Sequence, residues 1–178
     1  LEDFDFAFQP TIDQKHISDL ATCRFINTKE NVILVGGSGT GKTHLAISLA
    51  LKALSKEYSV YFTTVSDLLY NLHIAKADNS YPRKLKQIVA YDLLVLDELG
   101  FKQLPKYSSD DFFAIISKRY EHKSTIITTN KEIEEWNDIF DEEVLTRAIT
   151  DRLMHYASIF NIKGKSYRMK KFKNTEEK

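Results

Sequence analysis

Gly36-Gly37-Ser38-Gly39-Thr40-Gly41-Lys42-Thr43 is the stretch whose reading decides the fold of this chain. It fits G-x-x-x-x-G-K-[ST], and its neighbours fit the setting that motif requires. Asn31-Val32-Ile33-Leu34-Val35 before it has the apolar character of a buried strand, and His44-Leu45-Ala46-Ile47-Ser48-Leu49-Ala50 after it reads as a helix. A loop that wraps a phosphate needs backbone N–H groups converging on one hollow, and glycines leave that hollow free of side chains. The helix that opens at Gly41-Lys42 adds unpaired N–H groups and the positive end of its dipole. Lys42 is then placed to reach the β- and γ-phosphates, the Thr43 hydroxyl to ligate Mg²⁺, and His44 lies on the first helical turn.

Outward from this loop, apolar runs alternate with helical stretches. Strands are expected at Ser59–Thr64, Asp92–Glu98, Ser124–Asn130 and Ser158–Ile162, in addition to the one before the loop. Helices are expected over Thr11–Phe25, from a Ser66-Asp67 cap through Leu72, over Arg83–Val89, over Ser108–His122, and at Glu132–Phe140 and Glu142–Tyr156. Alternation of this kind predicts an α/β fold, a parallel five-stranded sheet with helices on both faces. Its right-handed crossovers put every strand's carboxyl end on one edge. The glycine loop, Asp97-Glu98 and Asn130 all fall at such ends, so three separated motifs converge where sheets of this kind bind ligands. Residues 1–30 form a lead-in, 31–162 the nucleotide-binding domain with a helical insertion near 66–90, and 163–178 a basic tail.

The chain has 178 residues, 43% of them hydrophobic, with 25 basic and 25 acidic side chains. One domain with a real core follows from that size, and the charge balance confines any nucleic-acid surface to a local patch. Cys23 is the only cysteine, which excludes an internal disulfide framework and suits a reducing compartment. No apolar run approaches bilayer length. Leu1 in place of a methionine implies a missing preceding portion, and the five histidines have no metal spacing.

Hydrolysis of a γ-phosphate needs a metal holder, a group that orients water, and charge stabilisation. Asp97 is placed to hold Mg²⁺ through water, Glu98 to face the attacking water, and Asn130 to bond the γ-phosphate or that water. A plain strand-to-turn exit at 97–98 and a turn-forming Asn at 130 stay open as alternatives. In the lead-in, Phe6 or Phe8 could lie near a base, although aromatic alternation also describes core packing.

In this order, the loop, Leu96-Asp97-Glu98 and the strand-tip Asn130 resemble the AAA+ ATPases. Gly39–Ala46, Leu93–Gly100, Ser124–Asn130, Asp151-Arg152-Leu153 and Asn161–Arg168 resemble more narrowly the IstB-like group. That group contains transposition helper ATPases of insertion sequences and, beside them, DnaC-like loaders of the replicative helicase. The resemblance implies a bacterial cytoplasmic ATPase using ATP and Mg²⁺, assembled as a homo-oligomer whose site is completed by a neighbour's arginine. Arg152 matches that position, with Arg147 as competitor. It also implies duplex DNA and the element's own transposase as partners. AAA+ proteins usually carry a helical lid with a second sensing arginine. Only residues 163–178 follow Ile162, so little or no C-terminal lid is expected, and Arg168 is the one candidate to approach the phosphates.

Two basic clusters are candidates for DNA. One is Arg83, Lys84 and Lys86 with Lys76, in an insertion that faces the central channel in related initiator-type ATPases. The other is Lys163, Lys165, Arg168, Lys170, Lys171 and Lys173, interleaved with Tyr167 and Phe172. Neither carries a base-reading motif, so phosphate contacts with steep salt dependence are expected. A solvated charged face is the alternative for each. A small-molecule kinase would need an arginine-rich lid, and no such segment is visible.

Overall fold

The computed structural model describes all residues except 2–3, 102–103, 105–107, 141 and 170–178. Its centre is a parallel sheet of strands β1 (Asn31–Gly36), β2 (Val60–Thr64), β3 (Leu93–Leu99), β4 (Ser124–Thr129) and β5 (Ala157–Ile162). They lie in the order β2-β3-β4-β1-β5, so β1 and the glycine loop it feeds stand between β4 and β5. Helices α1 (Gln14–Leu20), α2 (Arg24–Asn27) and α3 (Lys42–Leu54) cover one face; α4 (Val65–Ala77), α5 (Tyr81–Ala90), α6 (Ser108–Arg119) and α7 (Glu143–Met154) cover the other.

Strand side chains alternate between two cores, as a pleated sheet buried on both faces requires. Ile33, Val35, Leu94, Leu96 and Ile127 pack beneath α4–α7, while Val32, Leu34, Leu93, Val95 and Ile126 pack beneath α1–α3. All ten side chains are at most 1% exposed. Burial on that scale, about 1.5–3 kcal/mol for each large aliphatic side chain, fixes the register. The strand ends that carry the site therefore inherit their alignment from the core.

Local boundaries differ from the sequence expectation in three places. The helix expected over 11–25 is two: α1 ends at its C-cap Ala21, and Cys23, left-handed at φ 61°, is the N-cap from which α2 starts. The cap of α4 is Thr64, whose hydroxyl accepts from Asp67 N at 3.1 Å, because β2 runs directly into the helix. Ser66-Asp67 accordingly lie inside the first turn. The segment expected as a helix over 132–140 is a 3₁₀ turn, Ile133–Asp138, capped reciprocally by Glu132 and Glu135. It stays short because its one buried side chain, Trp136, plugs into the core and leaves no continuous apolar face to pack. The strand and helix ends elsewhere shift by a residue or a few.

Candidate functional site

The loop Gly37–Gly41 leaves the carboxyl end of β1 and turns into α3 with Gly41 at its N-cap, φ 102°. A side chain at Gly41 would strike the Phe4 ring, and one at Gly39 would strike Ser166, so the lead-in and the segment after β5 both close over the loop at positions that favour glycine. Thr40 donates its hydroxyl to Gly37 O at 2.9 Å, and Lys42 Nζ donates to Gly36 O and Gly37 O, both at 2.7 Å. Burial pushes the Lys42 ammonium below its ordinary pKa, opposed by the Asp97 carboxylate; the charges of Arg168 and Glu98 also act on it. Four charged groups from three segments (α3, β3 and the stretch after β5) thus act on one another at one sheet edge.

Asp97 is 5% exposed and its Oδ1 accepts two hydroxyls, Thr43 at 3.0 Å and Thr128 at 2.5 Å. The pairing of β3 with β4 slips here: Leu96 faces Ile127, yet Leu99 faces Thr129. Three steps on β3 match two on β4, so one extra residue is accommodated as a bulge. Glu98 takes up the difference with φ 65°, a left-handed conformation that costs a residue with a side chain about 1–2 kcal/mol. Its N–H leaves the ladder and donates instead to the Thr128 hydroxyl at 3.0 Å. The bulge buries the Asp97 side chain beside Thr43 and turns that of Glu98 outward, where it is exposed. A strand without the bulge would keep simple alternation and could not present Glu98 in this way.

Asn130 follows β4 directly and is exposed. The preceding Thr129 is opposite Val35 of β1 and Leu99 of β3, so Asn130 lies between the tips of the loop strand and the carboxylate strand. The glycine loop, Lys42, Thr43, Asp97, Glu98 and Asn130 are brought together as their spacing predicts.

Arg152 is not among them. Asn31 Nδ2 donates to Leu153 O at 3.1 Å, and Asn31 N to Tyr156 O at 2.7 Å, which ties the end of α7 to the beginning of β1. The loop leaves the other end of that six-residue strand, roughly 20 Å away at about 3.3 Å per residue. Arg152 donates to Ala148 O at 2.8 Å, and its guanidinium lies 5.0 Å from the Phe113 ring centre. Arg147 is paired with Glu143 at 2.6 Å, and both side chains are mostly exposed.

A cavity of about 370 Å³ opens beside the loop, with His44 and Arg168 in its wall. The lead-in supplies Phe4 and Phe8, α3 supplies Ile47, and the segment after β5 supplies Tyr167. Tyr167 N donates to Gly39 O at 2.9 Å, and the Phe8 and Tyr167 rings meet edge to face at 5.3 Å. Of the two aromatics considered for a base, Phe8 lines this cavity, whereas Phe6 packs against the core. Phe4 lies in no motif, and Tyr167 and Thr128, though inside stretches that resemble the family, take no role at the site from sequence; tertiary structure places all three there.

The basic clusters are only partly presented. Arg83 and Lys86 are exposed on α5, opposite the buried Leu85 and Ile88. Lys84 Nζ reaches Asn71 O at 3.4 Å. Lys76, expected on a DNA face, is drawn to buried Asp111 at 2.8 Å and sits 5.2 Å from the Tyr81 ring centre. A lysine neutralising a 2%-exposed carboxylate is a strut between α4 and α6, because an unpaired buried charge would be costly. Lys163, Lys165 and Arg168 are exposed after β5; Lys170, Lys171, Phe172 and Lys173 lie outside the described residues. Among the described residues no helix is long and apolar enough to cross a membrane.

The model of the family described as IstB-like ATP binding protein matches residues 1–175. The chain is 41% identical over 178 residues to the ATP-binding protein of insertion sequence IS5376 from Geobacillus stearothermophilus, covering 100% of this chain and 71% of that protein. It is 44% identical over 170 residues to the corresponding protein of insertion sequence IS21 from Pseudomonas aeruginosa, covering 96% and 64%. The crystal structure of the DnaC helicase loader superposes with a TM-score of 0.70 at 27% identity, covering 85% of this chain and 92% of that one. The replication initiator DnaA bound to AMPPCP and single-stranded DNA shares the fold, with a TM-score of 0.70 at 18% identity, covering 94% and 52%. With its glycine loop at the edge of a five-stranded parallel sheet, the chain belongs to the IstB-like ATP-binding proteins, a family of AAA+ fold.

Proposed function

We propose that this chain is the ATPase of an insertion-sequence transposition helper: it assembles with ATP as a homo-oligomer, binds duplex DNA and brings the element's transposase to it. The single observation that carries the catalytic part is the hydrogen-bonded chain Thr43–Asp97–Thr128–Glu98 beside the phosphate loop. In this reading Gly36–His44 cradle the triphosphate. Glu98 takes a proton from water as its oxygen attacks the γ-phosphorus, the bond from that phosphorus to the β-bridging oxygen breaks, and ADP leaves. Asn130 orients the water or a γ-oxygen. Thr43 and Asp97 are hard oxygen donors of the kind that hold Mg²⁺ with few protein ligands, which supports them as its site. Magnesium, when bound, neutralises charge on the β- and γ-phosphate oxygens.

The distance between Arg152 and its own loop supports an arginine acting on the next subunit's nucleotide. ATP then bridges subunits, and loss of the γ-phosphate loosens the assembly. Arg83, Lys84 and Lys86, with Lys163, Lys165 and Arg168, are the proposed DNA contacts; Lys76 is left out because of Asp111. Loading of a replicative helicase is the second reading, favoured by the DnaC superposition. The greater identity to insertion-sequence proteins weighs for the first.

The test is sizing with a nonhydrolysable ATP analogue, with and without duplex DNA and the element's transposase, together with a mixing assay. Lys42→Ala and Arg152→Ala are each expected to be inactive alone. Mixed, they regain part of the turnover, because one interface then carries an intact Lys42 and a neighbour's intact Arg152. Failure to bind ATP, or full turnover by Arg152→Ala at concentrations that favour assembly, refutes the reading. Capture of a replicative helicase in place of the transposase selects the loader.

A further inference from the structure

Gln9 is 2% exposed yet belongs to the wall of the cavity beside the phosphate loop. Its Nε2 donates to Lys165 O at 3.1 Å. A carbonyl only accepts, so the nitrogen must face Lys165, and this fixes where the other end of the carboxamide points. That other end, Oε1, is buried and has no hydrogen-bond partner. A buried acceptor left without a partner is unfavourable, and proteins seldom keep one without a use. Oε1 lies against the Cα of Gly164, at the place a side chain on residue 164 would occupy. Both flanking segments are tied down: Gln9 N donates to Phe6 O at 3.2 Å, and Tyr167 N reaches the loop at Gly39 O. The carboxamide thus belongs to the same cavity wall as Phe8, Tyr167 and the glycine loop, and holds one unpartnered acceptor.

Resting on the nucleotide site proposed above, we propose that Gln9 reads the base, its Oε1 accepting a hydrogen bond from an exocyclic amino group. Adenine carries a donor at its six position, and guanine carries an acceptor there, which would face Oε1 lone pair to lone pair. Selectivity arises because the Lys165 bond prevents the carboxamide from turning over to offer its nitrogen. The rings of Phe8 and Tyr167 and the Ile47 side chain supply the sequence-tolerant apolar contact, and Gln9 supplies the discrimination.

The experiment measures equilibrium binding of ATP, GTP, purine riboside triphosphate (which lacks the amino group) and inorganic tripolyphosphate, all with Mg²⁺. The wild-type protein is expected to bind ATP about tenfold more tightly than purine riboside triphosphate, and to bind GTP more weakly still. Gln9→Met should bring ATP and the purine analogue to equal affinity while leaving tripolyphosphate binding unchanged. Gly164→Ala should do the same by displacing the carboxamide, which keeps the test valid if the Gln9 variant does not fold. Equal affinity of the wild-type protein for ATP and the purine analogue overturns the assignment of Gln9 and leaves the nucleotide site standing. Discrimination that survives in both variants also overturns it. Failure to bind any of the four ligands, tripolyphosphate included, removes the nucleotide site itself.

Discussion

Thr128→Val separates the support of the two carboxylates proposed for hydrolysis, Asp97 and Glu98, from nucleotide binding. The hydroxyl of Thr128, 1% exposed, donates to Asp97 Oδ1 at 2.5 Å and accepts from Glu98 N at 3.0 Å. Valine keeps the shape and removes both bonds. A hydrogen bond to a charged carboxylate contributes about 1.5–3 kcal/mol, and the Glu98 N–H loses its acceptor. Glu98 is already held in a left-handed conformation that costs about 1–2 kcal/mol, and the Thr128 bond is the restraint the structure offers against its relaxation. The expected loss of stability is about 3 kcal/mol, or roughly 6–12 °C in Tm for a chain of this size. Such a loss is survivable against a typical 5–15 kcal/mol.

Relaxation of Glu98 by about 1 Å is expected to lower turnover about 100-fold. Affinity for ATP should stay within about threefold, since the loop and Lys42 make no bond to Thr128. Phosphate release at saturating ATP and equilibrium nucleotide binding, both at assembly-favouring concentration, read the two quantities. Thr128→Ser retains the hydroxyl and should keep turnover within about fivefold of wild type. Thr128→Val hydrolysing within threefold of wild type refutes the positioning role, a margin set by the ordinary scatter of such effects. So does a loss of ATP affinity equal to the loss of turnover.

Glu98→Gly should abolish turnover and at the same time raise Tm by about 2 °C, because relief of the left-handed strain exceeds the added chain entropy of glycine. Glu98→Gln, equally inactive, should not melt higher; scanning calorimetry distinguishes them. Replacing Arg83 and Lys86 together with Gln should lower the slope of log affinity against log salt by about 2 for duplex DNA, as two lost phosphate contacts require. An unchanged slope removes α5 from the DNA surface. Asp92 accepts from Lys123 at 2.7 Å and from Ser59 N and Oγ at 3.0 and 2.6 Å, and the Lys123 bond foremost holds its pKa well below the usual carboxylate range. A depressed folded pKa stabilises above the unfolded value of about 3.9, and the gain is lost as pH falls through the folded value. Asp92→Asn should therefore cost about 1 kcal/mol at pH 7, with the difference from wild type shrinking below about pH 4 in chemical denaturation.

What could be read from the sequence was whatever depends on residues near one another in the chain. Glycines at fixed spacing, a strand before and a helix after them, and apolar runs ending in polar tips gave the sheet and the edge at which the motifs meet. What could not be read depends on pairings across the chain. Leu96-Asp97-Glu98-Leu99 reads as an ordinary strand end, because a bulge exists only relative to its partner, and β4 lies some thirty residues on. Thr128 sits in Ile126-Ile127-Thr128-Thr129, where β-branched residues need no reason beyond strand propensity. Lys76 looked like one charge of a basic face until Asp111 took it.

The cavity wall is the extreme case, since Gln9 and Lys165 stand 156 positions apart and meet in one hydrogen bond. Arg152 is the reverse case: its residue type and neighbours matched the expected pattern, but the fold sends it to the opposite edge from its own phosphate loop. That separation has a consequence for measurement. A site whose stabilising arginine can only come from another copy should give a turnover per chain that rises with protein concentration. A site completed within one chain should not. A hydrolysis rate strictly proportional to concentration, down through the range where sizing shows monomer, would therefore assign the charge stabilisation to Lys42 and Arg168 of the same chain and leave Arg152 to its packing against Phe113.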